Sequence, residues 1–210
     1  FVAQVMADAE RLSAEDEPYH REPITYEAPY LDNLPTAPRE KFAANIAAIQ
    51  KLKEIEQRVA NGGSPAFEDE QKILAQYTGW GGLSDAFDPN KSAWSNEYSQ
   101  LKAALSESEY EAARSSTLTA FYTPATVIHP IYRALERFGV KGGKILEPSM
   151  GTGAFLAHGH FGSSDAKFYG VELDSITGRI SKQLYQKANI QVTGYENALL
   201  PDNYFDCVIG

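Results

Sequence analysis

The sequence predicts an α/β protein in which the first four strands of a parallel sheet follow an all-helical region. Three observations predict it. The stretch Lys144–Leu156, KILEPSMGTGAFL, reads as a buried strand, a glycine turn and the start of a helix. Downstream of it, short apolar runs alternate with helical patterns, as in parallel strands joined by crossover helices. Upstream, over Arg39–Leu118, apolar residues recur at three- and four-residue steps, the spacing of helices packed on one face.

The chain has 210 residues, 43% hydrophobic and 22% charged, an ordinary globular balance. Its longest apolar runs are too short to span a membrane. A single cysteine, Cys207, excludes a disulfide framework within the chain and fits a reducing, cytoplasmic setting. The net charge of −9 argues against a dominant nucleic-acid surface within these residues. Contact with DNA is then expected mainly through other regions. The chain starts at Phe1 without a signal-peptide pattern and stops at Gly210 directly after an apolar strand, so both ends are expected to continue in a longer protein.

Residues 1–38 form a first unit. Phe1, Val5, Ala9 and Leu12 share one side of a short helix, and Glu15–Pro38 is an extended linker dense in proline. Residues 39–118 form the helical region. Its first helix runs to about Ala60, with Phe42, Ile46, Ile49, Leu52, Ile55 and Val59 as an apolar stripe stopped by Asn61-Gly62-Gly63. Ser64-Pro65 should open the next helix, whose buried side is Ile73, Leu74 and Tyr77. Trp80, in Gly79-Trp80-Gly81-Gly82, is either a stacking platform for a base or a plug between helices. A helix over Ala93–Leu105 points Trp94, Tyr98, Leu101 and Leu105 inward. Ser106-Glu107-Ser108-Glu109 is a capping box that starts the helix Glu107–Leu118.

Residues 119–210 carry the strand–helix alternation. Thr123 can cap a helix, with Pro124 at its first position, that contains Val127, Ile128, Ile131, Leu135 and Phe138. Pro130 should kink or delay that helix. Strands follow at Lys144–Leu146, Phe168–Leu173, Ile190–Thr193 and Tyr204–Ile209, with a helix over roughly Ile176–Tyr185 between the second and third. The edge of the last strand should be open and apolar at Val208-Ile209, inviting association or aggregation.

Ligands of such sheets bind beyond the carboxyl ends of the strands. Glu147, Glu172 and Glu196 fall there. Glu172, 19 residues after Gly153, suits the two hydroxyls of a ribose. Glu147 stands just ahead of Gly151-Thr152-Gly153, where it would repel a pyrophosphate but suit a cationic ammonium. The glycine string lacks the third glycine of dinucleotide sites. Together these residues favour S-adenosylmethionine, which has both a ribose and an α-ammonium, over a nicotinamide cofactor.

LEPSMGTGAFL resembles the cofactor motif of DNA adenine-N6 methyltransferases. FYTPATVI at 121–128 resembles the segment over the cofactor's methionine end in that family. GVELD at 170–174 resembles its ribose-binding motif, and FDCVIG at 205–210 resembles the strand before its catalytic loop. YTGWGGLSDAFD and SESEYEAARSSTLTAFYTP resemble the helical lead-in of large methyltransferase–helicase fusions of phages and mobile elements. The resemblance implies a Rossmann-like S-adenosylmethionine-dependent methyltransferase fold, with DNA as partner. It implies that Thr123, Glu147, Pro148, Ser149, Gly151 and Gly153 hold the methionine end. Glu172 would take the ribose, Leu173 the adenine face and Glu196 the adenine amino group. The family's catalytic Asn/Asp-Pro-Pro-Tyr/Phe loop would start at position 211, and no such tetrapeptide occurs in the chain. This span should therefore bind cofactor without catalysing transfer alone. The competing reading is a non-catalytic scaffold that contacts DNA or a partner protein.

His158-x-His160 offers two imidazoles without an evident third ligand, which argues against a metal site. Cys207, inside an apolar strand, should be an inert core thiol.

Overall fold

The computed structural model describes residues 22–26, 34–159 and 166–210. The helix expected over Phe1–Ala14, most of the proline-rich linker and His160 lie outside the described residues.

Helix α1 (Pro38–Ala60) is the spine of the helical region. Phe42, Ile46, Ile49, Leu52 and Ile55 are buried along one face, each contributing about 1.5–3 kcal/mol through burial. Val59, expected in the same stripe, is exposed. Helix α2 (Glu68–Leu74) begins later than Ser64-Pro65 suggests. The Arg58 guanidinium donates to the carbonyls of Ser64 (3.0 Å) and Pro65 (3.2 Å), and Glu70 accepts from the Phe67 amide (2.9 Å), which places the helix start at Glu68. Leu74 and Tyr77 are buried as expected, whereas Ile73 is 38% exposed. Trp80 is fully buried, edge-on to Phe42, Tyr77 and Phe87 at 6.1, 6.4 and 5.3 Å, so it is a core plug and not an open stacking platform.

Helix α3 (Ser95–Ala104) buries Leu101, and Leu105 follows it into the core. Helix α4 (Glu107–Ser116) starts with the capping box read from the sequence: the Glu109 amide donates to Ser106 Oγ at 3.3 Å and the Ser106 amide to Glu109 Oε2 at 2.9 Å. It stops two residues short of Leu118, which is exposed.

Helix α5 (Ala125–Arg137) has Pro124, not Thr123, in the cap position, and Thr123 makes no capping hydrogen bond. The helix runs through Pro130, which sits on its exposed side. Strand β1 (Gly143–Glu147), helix α6 (Ala154–His158), strand β2 (Ala166–Glu172), helix α7 (Ser175–Leu184), strand β3 (Asn189–Val192) and strand β4 (Cys207–Val208) complete the order. The sheet is parallel with strand order β3-β2-β1-β4, compatible with a Rossmann-like fold, and the order reverses between β1 and β4. Ile145 packs with Ile128, Tyr132, Phe155 and Ile209 between the sheet and α5.

Strand β4 is shorter than the expected Tyr204–Ile209. Tyr204 and Phe205 instead stack edge-on with Tyr169 at 5.6 and 5.2 Å, and Asp206 accepts from the Lys144 amide at 2.8 Å. Val208 is largely exposed, while Ile209 is buried against the core.

Candidate functional site

Side-chain interactions across 70 to 123 residues of sequence fasten the helical region to α7. Gln71 Nε2 donates to the carbonyls of Gln183 (2.7 Å) and Leu184 (3.1 Å). Arg179 on α7 reaches Glu56 of α1 (2.6 and 2.5 Å) and Glu109 of α4 (2.7 Å), while Lys53 also holds Glu109 (2.9 Å). Burial opposes the charge on Glu109, but Arg179, the Ser106 amide and Lys53 outweigh it and hold its carboxyl at about 2.

This docking leaves a cleft of about 500 Å³ between the helical region and the carboxyl end of β2. One wall is the turn after β1 and the end of β2, represented by Ser149, Gly151, Glu172, Leu173 and Asp174. The facing wall is Tyr77, Gly79, the end of α4 and Phe121-Tyr122. Asn45, wholly buried on α1, fixes the Thr78-Gly79 turn in that wall: its Nδ2 donates to the Gly79 carbonyl (2.7 Å) and its Oδ1 accepts from the Thr78 amide (2.8 Å).

The β1–α6 turn is shaped for close approach. Gly151 has φ 55°, and a Cβ there would come within 2.7 Å of the Tyr122 ring. Gly153 has φ 77° and is packed against the Tyr185 ring. Both positions require glycine on backbone and on space alone. The Gly151 amide donates to Glu172 Oε2 at 2.8 Å and the Asp174 amide to Glu172 Oε1 at 2.7 Å, so β2's last residue grips the turn. Each carboxylate oxygen keeps a further lone pair.

Glu147 is only 4% exposed, and its Oε2 has no hydrogen-bond partner. Burial, reinforced by the Glu172 charge, pushes its carboxyl well above the usual carboxylate range. Burial also raises Glu172, although the amides of Asp174 and Gly151 pull it the other way.

The structure thus brings Ser149, Gly151, Glu172 and Leu173 together on the cleft, with Gly153 buried in the same turn and Glu147 at its base. Leu173 is 76% exposed, an apolar face offered to the opening. Pro148 is half-buried between Glu147 and Ser149. Thr123 is half-buried beside the lining residue Tyr122 without lining the cleft itself. Glu196 lies outside the lining, exposed on the turn Tyr195–Asn197 and accepting from Asn197 Nδ2 at 3.1 Å. Tyr77, Asp174 and the α4 face escaped the sequence reading, since nothing local distinguishes them from core or cap residues.

His158 is buried and pairs with His129, Nδ1 to Nε2 at 3.1 Å. Among the described residues no group of three or more metal-ligating side chains occurs. Cys207 is half-buried, with its thiol pushed up by burial. No helix among the described residues is long and apolar enough to cross a membrane.

The chain is 26% identical over 193 residues to the Defense against restriction protein B of Escherichia phage P1, an alignment covering 91% of this chain and 7% of that protein. It is 32% identical over 91 residues to the Modification methylase CviBIII of Paramecium bursaria Chlorella virus NC1A, covering 43% of this chain and 24% of that enzyme. The chain therefore spans a small part of each relative. No protein-family model and no solved structure matches. These distant similarities to a phage defence protein and a viral methylase point to a methyltransferase-related origin for this α/β chain.

Proposed function

We propose that this chain is the S-adenosylmethionine-binding part of a DNA adenine-N6 methyltransferase, within a longer protein of the methyltransferase–helicase kind. The observation that carries the reading is the unpaired, buried oxygen of Glu147 beneath a glycine turn, beside the ribose-type acid Glu172. An isolated buried carboxylate costs stability unless a cation or donor meets it. The α-ammonium of S-adenosylmethionine supplies both.

In this reading Glu172 accepts from the ribose through its remaining lone pairs, and Leu173 covers one face of the adenine. Ser149, Pro148, Gly151 and Gly153 shape the turn around the methionine end, with Thr123 next to Tyr122, whose ring packs on Gly151. Glu196 would reach the adenine amino group only by turning from its present contact with Asn197. Bound S-adenosylmethionine supplies an electrophilic methyl group. The 210 residues contain no Asn-Pro-Pro or Asp-Pro-Pro sequence to hold a target adenine, so the chain's own share is to bind and orient the cofactor. DNA contact and methyl transfer belong to regions outside it.

Calorimetry of the 210-residue chain with S-adenosylmethionine and, separately, with NAD tests the reading. Saturable binding of S-adenosylmethionine with no heat from NAD is expected. Preference for NAD would overturn the assignment, and methyl transfer to DNA by this chain alone would overturn the division of labour.

A further inference from the structure

The helical region has no chemistry in the reading above, yet it forms half of the cleft. Tyr77 is the residue that stands out. It is 2% exposed, it lines the cleft, and its hydroxyl donates to no acceptor among the described residues, Thr177 being the polar group beside it. A phenol buried without a partner is costly and rare in a folded protein. Asp174, also on the cleft, presents a second unused atom. Its Oδ1 caps α7 by accepting from the Thr177 amide at 2.7 Å, while Oδ2 is buried and unpaired.

These groups call for a particular ligand. The two carboxylates, Glu172 and Asp174, can only accept, and Tyr77 can donate. A ligand hydroxyl satisfies both kinds at once, giving its proton to a carboxylate and accepting from the phenol. The remainder of the same wall suits a flat base. Ala112, Ser115 and Ser116 fall at helical spacing on one face of α4 toward the cleft, and Thr119 lines it just past the helix end, all small enough to leave room for a ring. Ser116 Oγ donates to the Ala113 carbonyl at 2.9 Å, so only its acceptor lone pairs remain for an amino group.

We propose that Tyr77 is a cofactor-contacting residue supplied by the helical region, donating to a ribose hydroxyl held by Glu172, while the Ala112–Ser115–Ser116–Thr119 face covers the base. This rests on the S-adenosylmethionine reading. Burial holds the Tyr77 phenol well above its ordinary range, so it is a donor throughout the neutral range. The unpaired phenol and Asp174 Oδ2 are then polar atoms left waiting for a nucleoside, and the helical region is a working wall of the site.

The test is Tyr77→Phe, with calorimetry against S-adenosylmethionine, adenosine, 2′-deoxyadenosine and 3′-deoxyadenosine, and with thermal melting of the unliganded chain. The variant should bind S-adenosylmethionine and adenosine about tenfold more weakly. It should bind one of the two deoxynucleosides as the wild type does, since that ligand lacks the partner of Tyr77. Its unliganded melting temperature should equal or exceed the wild type's, because only an unsatisfied hydroxyl is lost. Ser115→Trp, at an exposed position on the cleft, should block all four ligands without lowering the melting temperature. Unchanged adenosine affinity in Tyr77→Phe would overturn the proposal. So would equal losses for both deoxynucleosides with a lowered melting temperature, which would mark Tyr77 as structural. Wild-type chain that binds adenosine but not S-adenosylmethionine would overturn the cofactor assignment and leave Tyr77 in place. Binding of neither would overturn both.

Discussion

Replacing Arg179 by Met removes the cation that joins α7 to both α1 and α4 while keeping much of the side chain's bulk. Glu109 is the partner most affected, since it is 8% exposed and held at about 2. Holding a carboxyl there and not at 4.5 amounts to about 3 kcal/mol at neutral pH. Lys53 and the Ser106 amide persist in the variant, and Glu56, with its side chain 34% exposed, is screened by water. The expected loss is therefore about 2 kcal/mol, or roughly 4–8 °C in melting temperature for a chain of this size. The pH dependence identifies the cause. Because the folded-state value of Glu109 is depressed, its stabilisation is fully present above about 4.5 and is lost as pH falls through about 2. Thermal melting of both proteins from pH 7 to pH 2.5 should show the gap closing over the acid end. An equal gap at every pH, or no gap at pH 7, would refute the electrostatic account of the docking. Since the cleft lies between the docked parts, the same variant should also bind S-adenosylmethionine more weakly at neutral pH.

Glu147→Gln replaces a buried carboxyl that burial holds above its ordinary range, and should raise unliganded stability by about 1 kcal/mol or more at pH 7. The sign follows from a folded-state carboxyl raised above its unfolded value: the wild type loses stability as pH rises from about 4.5 toward the raised value, so the variant's advantage fades on acidification, as melting curves would show. The same variant should bind S-adenosylmethionine about tenfold more weakly, and wild-type binding should release protons, seen as buffer-dependent heats in calorimetry. Glu172→Ala strands the Gly151 and Asp174 amides as well as the ribose, so calorimetry should show at least about a hundredfold loss, with a loss of about 1–3 kcal/mol in denaturant titrations. Glu196→Ala should change affinity by less than about threefold, because the side chain is exposed outside the cleft; a tenfold loss would place Glu196 in the site.

What the sequence disclosed is what short-range physics encodes. The Ser106/Glu109 capping box, the left-handed glycines at 151 and 153 and the acid ending β2 each depend on neighbours within a few residues or on strand order. Periodicity alone overreached at Val59, Ile73 and Phe138, which continue apolar stripes but emerge exposed. Helix α2 starts later than its local signals suggest because Arg58, six residues upstream of Ser64, takes the carbonyls that a helix beginning at Ser64-Pro65 would need. The second wall of the cleft was illegible for a different reason. Tyr77 has the spacing of a core residue, and its unpaired hydroxyl becomes visible only after Gln71 and Arg179 dock the helices onto α7. Asn45 is similar, a polar residue within an apolar stripe whose partners lie more than thirty residues away.

The same docking bears on which cofactor the glycine turn takes. A dinucleotide site needs free amides at the turn to receive a pyrophosphate. Here the Gly151 amide is already given to Glu172, and α6, which follows the turn, is only five residues long. Glu147, Glu172 and Asp174 add carboxylates around the place where the phosphates would lie. At 4 Å in the protein interior each ionised carboxylate would repel a phosphate by about 4 kcal/mol at an effective dielectric constant of 20. The same groups attract an ammonium and accept from ribose hydroxyls. A turn whose amide is occupied by a carboxylate is poorly suited to phosphate, which favours the proposed cationic nucleoside over a dinucleotide.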